Sequence, residues 1–109
     1  MNVRLFLWQR GTAALMLPLI AVHLGVSFYA TRHGMTAADI LRRTHGSLIW
    51  ASYYGLFVVL AAIHAAIGVR TILIEWIAMT DREARRGAIL FGLVLLILGL
   101  RAVAAVVLS

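Results

Sequence analysis

Residues 48–76, LIWASYYGLFVVLAAIHAAIGVRTILIEW, form an apolar run whose only formally charged side chains, Arg70 and Glu75, lie near its end. About 20 mostly apolar residues are enough to span a bilayer as a helix. Two further stretches qualify, at about 5–30 and 87–108. Backbone polar groups in lipid must be satisfied within the segment, and three runs cannot close a barrel, so all three are predicted to be helices.

The composition excludes a soluble domain. Of the 109 residues, 63% are hydrophobic and 13% are charged, whereas soluble domains average about 45–50% apolar and about 25% charged residues. The mean hydropathy is +0.98. So short a chain is mostly surface and has no soluble core large enough for this excess. The absence of cysteine excludes a disulfide-stapled secreted fold, and the apolar content excludes disorder. A single transmembrane domain covering residues 1–109 is predicted.

The polar connectors complete the predicted all-α membrane fold. Thr36-Ala37-Ala38-Asp39 has the spacing of a capping box and predicts a short interfacial helix, ending near Arg43, between the first two spans. Thr80-Asp81-Arg82-Glu83 fits another box at the start of the third helix. Pro18 should kink the first helix because it removes a hydrogen-bond donor. Five arginines on one side against three on the other favour a cytoplasmic N-terminus and an outside C-terminus.

The net charge of +6 comes from ten arginines and four acidic residues. The arginines lie mainly at the ends of the apolar runs, where they suit lipid phosphates, and not on one polar face as in nucleic-acid binders. The bilayer is therefore the expected partner, and nucleic acid is not. The sequence also has no Ser/His/Asp arrangement, phosphate-binding loop or paired-carboxylate site, so it does not indicate a self-contained hydrolase or transferase.

Ionisable side chains within a span are functional candidates because lipid makes them costly. His64 lies near the middle of the second span, and at about 100° per residue Gly68, Thr71 and Glu75 share its helix face. A glycine one turn after the histidine leaves room for a flat macrocycle. His64 is thus either a ligand or a buried histidine bonded to a neighbouring helix. No soft or carboxylate ligands accompany it for a simple metal site.

With the predicted orientation, His23 lies roughly 8 Å from the outer end of the first span. His64 lies roughly 24 Å from Leu48, which is at the outer end of the second span. The two histidines are therefore not expected to clamp one iron within one chain. The spacing alone favours a structural role for His23. In the third span, Gly92 and Gly99 stand at heptad spacing and predict close helix packing.

Residues 64–76 resemble the second-helix signature of succinate dehydrogenase and fumarate reductase membrane anchors, the cytochrome b subunit family. That signature has a haem-ligating histidine followed by a glycine, often an arginine, an acidic residue and, in one anchor type, an aromatic residue. The residues at those places here are Gly68, Arg70, Glu75 and Trp76. Glu replaces the usual Asp, and Trp replaces the usual Tyr. Trp8-Gln9-Arg10-Gly11-Thr12 also resembles the start of the family's first helix.

The resemblance implies a membrane subunit, not catalytic alone, of a succinate:quinone or fumarate:quinone oxidoreductase in the bacterial cytoplasmic (inner) membrane. The implied partners are an iron–sulfur subunit, a flavoprotein subunit, and a second anchor subunit or a second copy of this chain. The implied cofactors are quinone and one or two haems b shared with a partner chain. The implied haem-binding residues are His64, His23, Gly68 and Arg70. Of these, His64 and His23 are the implied ligands of the haem iron. The implied quinone-binding residues are Arg10, Glu75 and Trp76.

Two alternatives remain open at the level of sequence. One is a haem-free anchor of the same complex, in which His64 is a packing residue. The other is a structural, assembly or transporter-like small membrane protein with no redox partner. That alternative calls for a polar pathway through the bundle, and the third span offers only Arg101, which can snorkel toward the interface.

Overall fold

The computed structural model describes residues 3–108 and contains four α-helices and no strand within that range. The helices are α1 (Val3–Arg32), α2 (Ala37–Thr44), α3 (Leu48–Glu75) and α4 (Asp81–Leu108). By length and composition, α1, α3 and α4 can each cross a membrane. This confirms the prediction of an all-α fold with three long apolar helices. The ends of the predicted 1–109 domain lie outside the described residues.

The three long helices run up, down and up in a bundle that measures 48 × 23 × 22 Å. The central helix, α3, packs most extensively on α4 and less on α1. Helix α1 continues through Pro18 as one element, and the kink expected there stays a prediction. The orientation of the bundle in the membrane, with the N-terminus on the cytoplasmic side, also stays a prediction.

Glycines of α4 allow its close approach to α3. A Cβ atom on Gly99 would lie 2.5 Å from Cγ1 of Val58, and one on Gly92 would lie 3.0 Å from Cβ of Ala66. Both distances fall below the usual separation of non-bonded carbon atoms, which is about 3.5–4.0 Å. The predicted packing role of Gly92 and Gly99 is therefore confirmed.

Helix α2 begins with the capping box that the sequence predicts. The Thr36 hydroxyl accepts a hydrogen bond from the Asp39 backbone N–H at 3.2 Å, and the Asp39 carboxylate accepts one from the Thr36 N–H at 3.0 Å. The structure contains one hydrogen bond of the second predicted box: the Thr80 hydroxyl accepts from the Glu83 N–H at 3.3 Å. The interfacial position of α2 remains a prediction.

The segment around the end of α2 is tied to the end of α4. The Thr44 hydroxyl donates to the Val106 carbonyl at 2.6 Å, and the Gly46 N–H donates to the Val107 carbonyl at 2.7 Å. The last carbonyls of a helix have no partner within it, and these bonds satisfy two of them. Gly46 reaches this position with φ +67°, a conformation that favours glycine.

Candidate functional site

A polar contact joins α1 to α3 in the middle of the bundle. Thr12 is 2% exposed, and its hydroxyl oxygen lies 3.3 Å from Nδ1 of His64. The same hydroxyl is 2.8 Å from the Trp8 carbonyl and 3.1 Å from the Gln9 carbonyl, within its own helix. The sequence-predicted ligand candidate is therefore held against α1 through one of its two ring nitrogens.

The hydrogen-bond geometry around Thr12 is consistent with one tautomer of His64. The Thr12 hydroxyl has one proton, and its nearest acceptor is the Trp8 carbonyl. Its oxygen is then free to accept from Nδ1–H of His64. A neutral imidazole protonated at Nδ1 has an unprotonated Nε2, which is the form that binds iron. Histidine ligands commonly donate their other N–H to an oxygen in this way, which fixes the orientation of the ring.

Gln9 lies one helical turn from this contact and contributes a second polar group. Its Nε2 atom is 3.5 Å from the position that a Cβ atom on Gly68 would occupy. Its Oε1 atom is buried and, among residues 3–108, has no hydrogen-bond partner. An unsatisfied buried acceptor costs about 1–3 kcal/mol, so this oxygen offers a place for a donor from a ligand or water. The space that Gly68 leaves beside α3 thus holds the Gln9 amide.

His23 also faces α3, but at a different level. Its ring centroid lies 6.0 Å from that of Tyr54 and 6.2 Å from that of Phe57. These side chains line a mainly apolar cavity of about 310 Å³ that reaches Thr44. His23 follows Thr12 by eleven residues in one helix, or about 16 Å. The two histidines therefore lie at separate levels of the bundle, as the sequence predicts.

The structure does not bring the three predicted quinone residues together within the chain. The Arg10 guanidinium carbon lies 5.7 Å from the ring centroid of Phe6, on an exposed part of α1. Glu75 is the last residue of α3, and Trp76 is 83% exposed just after it. Glu75 lies about 10 Å beyond Gly68 along the helix, whereas Arg10 is close to the level of Gly68.

Arg70 faces α4 and not His64. It lies about 120° from His64 around α3. Its guanidinium lies 3.2 Å from the carboxylate of Asp81, the first residue of α4, and its side chain is 19% exposed. Its predicted place beside a haem stays a prediction.

Sequence reasoning missed the roles of Gln9 and Thr12. In the sequence both stand only as parts of the motif Trp8-Gln9-Arg10-Gly11-Thr12, without a partner. The signal that could have found them is their spacing: two polar side chains three residues apart share a helix face, and here they interrupt an apolar span. Polar side chains within a span are expected to face a partner and not lipid.

The family model described as succinate dehydrogenase/fumarate reductase transmembrane subunit matches residues 1–107. Neither the curated proteins nor the solved structures gave a match. The matched region includes α1, α3, all but the last residue of α4, and the Thr12–His64 contact. The chain belongs to the transmembrane subunit family of succinate dehydrogenase and fumarate reductase.

Proposed function

We propose that this membrane anchor subunit ligates haem b through His64 in a succinate:quinone or fumarate:quinone oxidoreductase. Family membership supports the anchor role, and it argues against the structural or transporter-like alternative. The observation that carries haem ligation is the contact between Nδ1 of His64 and the Thr12 hydroxyl at 3.3 Å. This contact leaves Nε2 as the available ligand atom.

The residues of the chain fit half of a haem site. His64 would supply one nitrogen ligand to the haem iron through Nε2, and Thr12 would orient the ring through Nδ1. A bound haem b supplies a one-electron carrier within the membrane. We propose that a second iron ligand would come from a partner chain, either a second anchor subunit or a second copy. His23, which lies about 16 Å from Thr12 along α1, is the proposed ligand of a second haem.

The quinone site is proposed to lie at the end of the bundle where α3 terminates. Arg10 is suited to donate to a quinone carbonyl because its charge is fixed and its donors form a planar fork. The indole N–H of Trp76 is a second donor, and Glu75 can hold or release a proton. Because these groups do not meet within the chain, partner subunits are proposed to complete the site.

The partners follow from the same proposal. The sequence has no cysteine, so any iron–sulfur cluster must be held by another subunit. We propose that this chain docks an iron–sulfur subunit, which in turn connects it to the flavoprotein subunit. The bacterial cytoplasmic membrane is the proposed location.

One experiment tests haem ligation directly. The complex is purified in mild detergent, and a reduced-minus-oxidised spectrum is recorded with haem quantified per copy of this chain. We expect a b-type signal that disappears in His64→Ala while the subunits still co-purify. The matched control is His33→Ala, since His33 is exposed and stacks on Tyr29 away from the bundle centre. Equal haem content in the native chain and in His64→Ala contradicts the proposal.

A haem-free anchor is the second candidate, and one observation favours it. The Gln9 amide lies against Gly68, in the space where a macrocycle was expected. In this case the quinone receives electrons from the iron–sulfur subunit directly, and His64 only packs against Thr12. Purified complex with flavin and iron–sulfur clusters but without haem would establish this candidate.

The quinone residues are tested by Arg10→Ala. We expect weaker quinone binding, seen as a higher KM for quinone, because a charged donor is removed. Arg101→Ala is the control, since it removes an exposed arginine from a different helix. Unchanged quinone reduction and affinity in Arg10→Ala would remove Arg10 from the proposed site.

A further inference from the structure

A cavity of about 680 Å³ opens at the end of the bundle where α1 begins, α3 ends and α4 begins. Its polar lining consists of four arginines and one carboxylate, from Arg4, Arg70, Arg82, Arg85 and Asp81. The remaining lining is apolar, from Leu5, Ala66, Ile67, Ala88 and Ile89. One cavity thus combines a basic side with an apolar side.

The charge of this cavity is not balanced by ion pairs among residues 3–108. Four guanidinium groups face one carboxylate, so the lining carries a net charge of +3. The carboxylate of Asp81 is already paired with Arg70 at 3.2 Å. Within residues 3–108, no ion pair engages Arg4, Arg82 or Arg85. Several guanidinium groups of the lining could therefore donate to one added anion at once.

The cavity also lies where the apolar parts of the three long helices give way to charged ends. At this level a bilayer presents its headgroup phosphates next to the first methylene groups of the acyl chains. A soluble phosphate would satisfy only the arginines. A phospholipid matches both parts, with its phosphate among the guanidinium groups and its upper acyl chain along Leu5, Ile67 and Ile89.

We propose that this cavity binds an anionic phospholipid at the end of the bundle. The relevant chemistry is a phosphodiester with a net negative charge attached to an acyl chain. The site is distinct from the Thr12–His64 contact, because Arg70 lies about 120° from His64 around α3. The proposal does not depend on haem ligation.

The test uses the full chain purified in detergent, with native mass spectrometry to count bound lipids. Phosphatidylglycerol and phosphatidylcholine are titrated separately, and inorganic phosphate and glycerophosphoglycerol are added as probes without acyl chains. We expect tighter retention of phosphatidylglycerol than of phosphatidylcholine. The probes without acyl chains should compete weakly, because they lack the apolar part.

The variants separate this cavity from the general basicity of the chain. Arg85→Gln should weaken retention of phosphatidylglycerol about fivefold, the effect of about 1 kcal/mol per arginine near an anionic lipid. Arg86→Gln is the matched control, since Arg86 is adjacent in α4 and does not line the cavity. Both variants keep the Arg70–Asp81 ion pair, and equal thermal unfolding midpoints would show that both fold.

Three results would overturn the proposal. Equal losses in Arg85→Gln and Arg86→Gln would show that overall charge controls binding. Equal retention of the two lipids would show that the headgroup charge is irrelevant. Inorganic phosphate that displaces the lipid at comparable concentration would assign the site to a free anion.

Discussion

The hydroxyl of Thr12, a buried residue of α1, lies 3.3 Å from Nδ1 of His64 in α3 and so connects the two helices. A hydroxyl that donates to its own helix backbone is a fixed acceptor, because its single proton is in use. This arrangement is compatible with a His64 ring that carries its proton on Nδ1. An orientation fixed in advance is what a metal-binding histidine needs from its surroundings.

Replacing the Thr12 hydroxyl should disturb His64. Thr12→Val keeps the shape of the side chain but leaves Nδ1–H without an acceptor, so apparent haem affinity should fall about 10–100-fold. Thr12→Ser keeps the hydroxyl and should stay close to the native affinity. A ¹⁵N NMR spectrum of the haem-free chain should show the Nδ1–H tautomer in Thr12→Ser and a mixture in Thr12→Val. Equal behaviour of the two variants would show that the hydroxyl is irrelevant.

Substitution of Gly68 distinguishes the two candidate functions. A Cβ atom there would lie 3.5 Å from Nε2 of Gln9, which is an ordinary contact, so Gly68→Ala should fold normally. If a macrocycle displaces the Gln9 amide and lies against α3, the added methyl group should reduce haem content without changing the unfolding midpoint. If haem content and stability both match the native chain, Gly68 serves only to accommodate Gln9.

The α3–α4 contact should be sensitive to a single added carbon at Gly99. Gly99→Ala places a Cβ atom 2.5 Å from Val58 and should destabilise the fold by about 1–3 kcal/mol. Gly55→Ala is the control, since nothing lies within 4 Å of its Cβ position. Both substitutions gain the same helix propensity, so the difference isolates the clash. Detergent unfolding curves measure it, and equal stabilities would show that α3 and α4 are not in close contact.

The stability of the first turn of α2 should depend on pH through the ionisation of Asp39. The Thr36 backbone N–H, followed by the Thr36 hydroxyl and the Arg42 guanidinium, holds the pKa of Asp39 below its ordinary value of 3.8. Since the folded-state pKa is lowered, the stabilisation is complete above the ordinary value and is lost as pH falls through the folded-state pKa. Amide protection factors for residues 37–44 should therefore decline on strong acidification.

Asp39→Asn provides the comparison for this pH effect. It should start with lower protection in α2 and show a weaker dependence on pH. Glu83→Gln is the control, because Glu83 belongs to the first turn of α4 and should leave α2 unchanged. A decline of the same size in Asp39→Asn and in the native chain would show that another group is titrating.

Local features of this protein could be predicted from its sequence. The three long helices follow from the length of the apolar runs, and the start of α2 follows from the spacing of Thr36 and Asp39. The packing role of Gly92 and Gly99 follows from their spacing within one helix. These features are readable because each depends on residues within one helix or one turn, where geometry has a fixed period.

Contacts between helices required the tertiary structure. The partner of His64 is Thr12 and the partner of Arg70 is Asp81, and neither pairing is visible in the sequence alone. The Gln9 amide beside Gly68 is a third example. A sequence period gives the face on which a residue lies, but not the rotation and axial register of one helix against another. Those two quantities decide which side chains meet, and packing of the whole bundle sets them.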